Sequence, residues 1–181
     1  MSALETLVAR ALDGDDAAWE AIVDRFSGLV WATARAHRLS ATDAADVVQL
    51  TWLRLVEHLD RIHDPERLGG WLATTARRES LRVIRQAGRQ QPVGDAEWFE
   101  APAPFEIDAA LLEEERDSAL WRAFTLLTER CQALLRLLVA ATEPSYEEVS
   151  AALAMPIGAI GPTRMRCLAA LRTKIEAAGV A

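Results

Sequence analysis

No stretch of this chain approaches the roughly 18 uncharged apolar residues that a membrane-crossing helix needs, so membrane insertion is not expected. The first sixteen residues lack the basic start and apolar middle of a secretory signal, because Glu5, Arg10, Asp13, Asp15 and Asp16 interrupt them. The protein is therefore expected to stay in the cytoplasm. Cysteine is nearly absent. Cys131 and Cys167 form neither a CxxC metal pair nor a disulfide framework, and their residue type predicts buried, reduced thiols. His37, His58 and His63 show no HExxH spacing, no Cys/His cluster accompanies them, and no GxxxxGK[ST] phosphate loop occurs. No metal, no cofactor and no enzymatic activity are expected.

What is present is a chain of 181 residues, 51% apolar and 26% charged, which suits one globular domain or two small ones. Its net charge of -7 would oppose a nucleic-acid partner if it were spread evenly. The distribution is uneven. Residues 87–118 hold nine acids and two bases, while residues 119–181 hold five acids and seven bases. Arg77, Arg78, Arg82, Arg85 and Arg89 form one basic series interrupted by a single acid, Glu79, and Arg164, Arg166, Arg172 and Lys174 form another. Two basic surfaces thus flank an acidic connector.

Gly88, Pro92, Gly94, Pro102 and Pro104 break any helical period between Arg85 and Ile107, which marks a linker. Before it, Val48, Trp52, Leu55, Val56 and Leu59 make one apolar stripe of a helix. Asp16 to Leu39 reads as a helix or helical pair, and a further helix is predicted from about Leu68 through Trp71 to Arg85 or slightly beyond. After the linker come a helix around Leu111 to Leu127 and a second with Cys131, Leu134, Leu135 and Leu138 on one face, capped by Thr128. Ser145 and Glu148 predict a capping box opening a short helix that ends near Ala154. A basic helix follows from Ile160 to Lys174, with Pro162 in its first turn.

The fold class is therefore all-α: two small helical domains, an N-terminal bundle (1–88) and a C-terminal helix-turn-helix domain (111–181), joined by an acidic linker (89–110). A helix-turn-helix sets its second helix in the DNA major groove. Gly161, Pro162, Thr163, Arg164, Met165 and Arg166 occupy the half that would face base edges.

The N-terminal half adds a resemblance. Asp43-Ala-Ala-Asp46-Val-Val-Gln49-Leu-Thr51-Trp52-Leu-Arg-Leu, followed by Trp71-Leu-Ala-Thr-Thr-Ala-Arg77-Arg78, resembles region two of the extracytoplasmic-function (ECF) sigma factors of bacterial RNA polymerase. Leu127-Thr-Glu-Arg130 and Tyr146-Glu-Glu-Val149 through Pro156-Ile-Gly158 to Leu171 resemble region four. The resemblance implies a factor that binds core RNA polymerase and promoter DNA and directs promoter-specific initiation, with an anti-sigma factor as a further partner. It implies that Asp46, Val47, Gln49, Leu50 and Glu57 dock on polymerase, whereas the apolar stripe of the same helix is core. It places Asp60, Arg61, His63, Trp71, Arg77, Arg78, Arg82 and Arg85 at the minus-ten element, where strand opening needs a base pocket and cations for phosphates; Trp71 also suits the core. The recognition helix is left to the minus-thirty-five element.

The sequence departs from the family pattern at Leu50, where an acid is usual, at Arg78 and Arg82, where an asparagine and an aspartate are usual, at Ala154 in place of the turn glycine, and at Gly161 and Pro162 in place of polar residues. More of the upstream reading then falls to Arg166, Met165 and DNA shape. In the linker, Asp95, Glu97, Glu100, Glu106 and Asp108 suit either a polyanion lying in a basic polymerase channel or a self-repelling tether, and Trp98, Phe99 and Phe105 lean towards docking. The competing function is a stand-alone helix-turn-helix regulator whose N-terminal bundle senses or dimerises.

Overall fold

The structure is a computed structural model that describes residues 2–90, 115–139 and 144–177. The linker acids and aromatics named above lie outside the described residues. The described residues form eight α-helices: α1 (Ala3–Leu12), α2 (Asp16–Ala36), α3 (Ala41–His58), α4 (Leu68–Gln90), α5 (Glu115–Thr125), α6 (Glu129–Leu138), α7 (Tyr146–Leu153) and α8 (Ile157–Ala177). Two single-turn 3₁₀ helices, Leu59–Arg61 and Pro65–Arg67, join α3 to α4.

Most helices begin where a short polar side chain satisfies the free amides of the first turn. Ser145 accepts from the Glu148 amide at 3.2 Å while Glu148 accepts from the Ser145 amide at 2.6 Å, the expected capping box of α7. Thr128 caps α6 as expected, and Ser40 caps α3. Asp15 caps α2 through the amides of Ala17 and Ala18, and the hydrogen bond from Arg10 holds its carboxyl below the ordinary range. Residues 16–36 form a single helix rather than a pair. α1 is an element that residues 1–16, read for targeting alone, do not disclose. Its signal is a second capping box, Ser2 with Glu5, followed by Leu4, Val8 and Ala11 at helical spacing.

The largest core joins α1 to α4 through residues such as Val8, Ile22, Leu29, Val47, Leu55, Leu68 and Leu72. The second half has two small clusters of its own: Leu134, Val149, Met155 and Ile160, and Leu127, Leu135 and Cys167. Leu137 of α6 and Ala152 of α7 belong to neither. Both are fully buried in the large N-terminal cluster, with α6 packed against α2 and α7 against α4. The two halves are thus closed on each other.

Three expectations need correction. The buried stripe of α3 is Ala44, Val47, Thr51 and Leu55, while Val56 is 63% exposed and Val48 and Trp52 are half-buried. The phase differs because Thr51 is buried after all; its hydroxyl donates to the Val47 carbonyl at 2.7 Å and so needs no solvent. Cys131 and Cys167 are not free thiols but a disulfide with a Cα–Cα distance of 5.3 Å, tying the start of α6 to α8. Their 36-residue separation gives no sequence hint that two facing helices bring them together. Finally, α8 starts at Ile157, so Pro162 lies inside the helix rather than in its first turn, opposite the carbonyl of Gly158.

Candidate nucleic-acid interface

α3 presents a solvent face opposite its buried stripe. Asp46, Gln49 and Glu57 are exposed there, Leu50 is half-buried, and Leu53 and Val56 are 53% and 63% exposed. Val47 is 1% exposed and faces the bundle, so it supports this face from behind and cannot itself touch a partner. Glu57 accepts an ion pair from Arg54 at 3.0 Å. Two large apolar side chains set among acids and amides form a surface suited to a protein rather than to a polyanion. Leu53 was not singled out by sequence, because without the phase of the helix it reads as one more core leucine.

The connection from α3 to α4 forms a second feature. His58, Arg61, Ile62, His63, Asp64, Arg67 and Trp71 line a cleft of about 260 Å³. Asp64 caps the second 3₁₀ turn through the Glu66 amide and pairs with Arg67 at 3.0 Å, which fixes the rim. Trp71 is half-buried against the large core and also forms a wall of the cleft, its ring centroid 6.4 Å from that of His58. Among the described residues, His58 Nδ1 is the one buried side-chain polar atom without a hydrogen bond. Asp60 is exposed beside this cleft.

The arginines of α4 divide into two groups. Arg78, Arg82 and Arg85 are exposed, Arg82 pairing loosely with Glu79 at 3.6 Å. Arg77 turns the other way, and its Nε donates to the Ala151 carbonyl of α7 at 3.1 Å. His37 Nε2, at the C-terminal end of α2, lies 3.3 Å from the Ala152 carbonyl. Burial pushes the His37 pKa down, and the charge of Arg77 adds to that, against the opposing hydrogen bond. Arg38 pairs with Glu129 of α6. Gly69 completes the closure, since a β-carbon there would collide with the Glu148 carboxylate. The last carbonyls of α7 are therefore met by donors from the N-terminal half, a role that sequence does not advertise for Arg77 or His37.

α7, a tight turn and α8 form the helix-turn-helix. The turn passes through Ala154 in the left-handed region, φ 50°, where glycine would be unstrained. Ile160, Thr163 and Cys167 face inward, so Thr163 at 7% exposure is a core residue and not a base contact. Its hydroxyl accepts from Arg166 Nη2 at 3.1 Å. Pro162, Arg164, Met165 and Arg166 are exposed and Gly161 is half-buried. Met165, at 67%, is among the most exposed large apolar side chains described.

The family model of sigma-70 region 2 matches residues 22–90. The ECF RNA polymerase sigma-E factors of Escherichia coli K12 and Salmonella typhimurium LT2 are each 26% identical over 185 aligned residues, covering 95% of this chain and 94% of theirs. Among solved structures, CnrH in complex with the cytosolic domain of CnrY matches with a TM-score of 0.60 at 24% identity, over 97% of this chain and 99% of that one. The sigma factor RpoE of Bartonella quintana in complex with the anti-sigma factor NepR matches at 0.57 and 18% identity, over 87% and 96%. These two likenesses are of fold.

Proposed function

From the region 2 match over residues 22–90 and the sigma-E likeness along nearly the whole chain, we propose that the chain is an extracytoplasmic-function RNA polymerase sigma factor that docks on core polymerase through α3, opens the minus-ten element with the α3–α4 cleft and α4, and reads the minus-thirty-five element with α8. The catalytic chemistry of RNA synthesis belongs to the polymerase, and this chain supplies recognition. Its work lies on the chromosome, in the cytoplasm; among the described residues no helix is long and apolar enough to cross a membrane.

The observation that carries this reading is the outward face of α3, where Leu53 and Val56 stay exposed while the same helix buries Val47, Thr51 and Leu55. An apolar pair that stays this exposed among the described residues fits a docking surface. Asp46, Gln49 and Glu57 supply its polar rim.

The closed arrangement bears on regulation. Two promoter elements centred some 25 base pairs apart lie about 85 Å from each other at 3.4 Å per base pair. With α7 seated on α4, one chain cannot reach both. On this reading, α7 leaves α4 on the way to the promoter complex. We infer that core polymerase favours the open form.

The test is binding of purified core polymerase by gel filtration. Asp46→Arg and Val56→Asp should abolish co-elution while helicity and melting stay those of the parent, because both positions are exposed. Co-elution undiminished in both variants would overturn the docking role of α3. Operator binding by the free chain with no polymerase requirement would favour an autonomous regulator.

A further inference from the structure

We propose that α8 reads thymine through its 5-methyl group, with Met165 as the reading side chain. The inference rests on the minus-thirty-five role proposed above and names the chemical feature recognised there. At about 100° per residue, a helix that turns Ile160, Thr163 and Cys167 inward turns Gly158, Pro162, Met165 and Ala169 outward. Over three turns this outward ridge carries no side-chain hydrogen-bond donor, and its one acceptor is the weak thioether sulfur of Met165. Arg172, the next residue on the line, pairs with Glu176 at 2.9 Å.

Such a ridge has little to offer the polar pattern of the major groove. Purine N7, guanine O6 and the exocyclic amines would be left unpaired beneath it, which costs free energy. The groove contains one apolar feature, the thymine methyl group. Met165 is long, unbranched and polarisable, and it stands exposed at the middle of the ridge with Leu168, 39% exposed, alongside.

The charges flanking the ridge favour DNA over a protein as occupant. Arg164 and Arg166 are adjacent to Met165 in sequence and so are turned about 100° to either side of it; both are exposed. Cations in those positions suit phosphates on the two walls of a groove. The hydrogen bond from Arg166 to the buried Thr163 hydroxyl holds one of them in place. Arg166 is on this geometry a phosphate clamp, and discrimination passes to Met165.

The experiment uses the full chain bound to bacterial core polymerase. Duplexes randomised over the minus-thirty-five region are selected for binding, and the winning duplex is remade with deoxyuridine in place of each thymidine in turn. That change deletes one methyl group and preserves every hydrogen bond. At one position the parent should lose about fourfold in affinity, the worth of one buried methyl. Met165→Ala should bind both duplexes alike, Met165→Leu should keep the preference, and Arg164→Ala or Arg166→Ala should weaken both duplexes while leaving their ratio near fourfold. Arg164, Met165 and Arg166 are all exposed, and helical circular dichroism checks that each variant keeps the parent fold. Indifference of the parent to deoxyuridine at every position, an undiminished preference in Met165→Ala, or a Met165→Ala defect confined to polymerase binding would each overturn the inference and leave the minus-thirty-five role standing. Failure to select any upstream sequence would overturn that role, and this inference with it.

Discussion

Leu137 offers a direct way to open the molecule. It is fully buried, yet its neighbours lie in the N-terminal cluster rather than in the two small cores of its own half. Leu137→Ala therefore removes packing between the halves and spares each of them. Truncating a buried leucine costs about 2–5 kcal/mol. A middle value of about 3 kcal/mol shifts the ratio of closed to open chains by about two orders of magnitude, since each 1.4 kcal/mol is a factor of ten. Small-angle X-ray scattering is the assay. A compact chain of this length has a radius of gyration near 16 Å, and the variant should exceed that by several ångströms while its helical circular dichroism stays unchanged. Ala152→Glu, which forces a carboxylate into the same contact, should give the same expansion. An unchanged radius in both variants, or a loss of helicity that follows the expansion, would refute the argument that these residues close the halves without building either.

Three other outcomes follow from the same structure. Reducing Cys131–Cys167 opens a loop of 36 residues and should destabilise the C-terminal half by about 4 kcal/mol on the chain-entropy account; a melting curve indifferent to reductant would refute that. Because burial lowers the His37 pKa, the closed form binds fewer protons than the open one. Its contribution is complete above the ordinary imidazole value of 6.5 and is lost as pH falls from there through the lowered value, so the scattering radius should grow between pH 7.5 and 5.5, and contraction on acidification would contradict the sign. Arg78→Ala with Arg82→Ala should leave upstream capture intact but slow strand opening, and a premelted bubble template should restore synthesis; failure of that rescue would remove these arginines from melting.

Local chemistry made much of this fold legible. Thr128, and Ser145 with Glu148, placed the starts of α6 and α7 from side chains that act within a few residues of themselves. What stayed hidden depends on distant partners. Thr51 reads as polar until its bond to the Val47 carbonyl is seen, and that alone shifts the buried face of α3 by one position and exchanges the roles of Val47 and Val56. Arg77 and His37 answer backbone carbonyls of α7, and a carbonyl acceptor carries no residue code. The disulfide joins two helices whose approach no spacing rule encodes. Candidate polymerase and DNA residues were legible as residue types, whereas their exposure required the helix phases: Asp46, Gln49, Arg78 and Arg166 face solvent, while Val47 and Thr163 do not.

The central claim is tested most directly by run-off transcription with purified core polymerase on genomic templates. With the full chain added, transcripts should start at a discrete set of promoters sharing two upstream elements, and Asp46→Arg should abolish all of them together. Synthesis that starts at the same sites and at the same level without the chain would contradict the account.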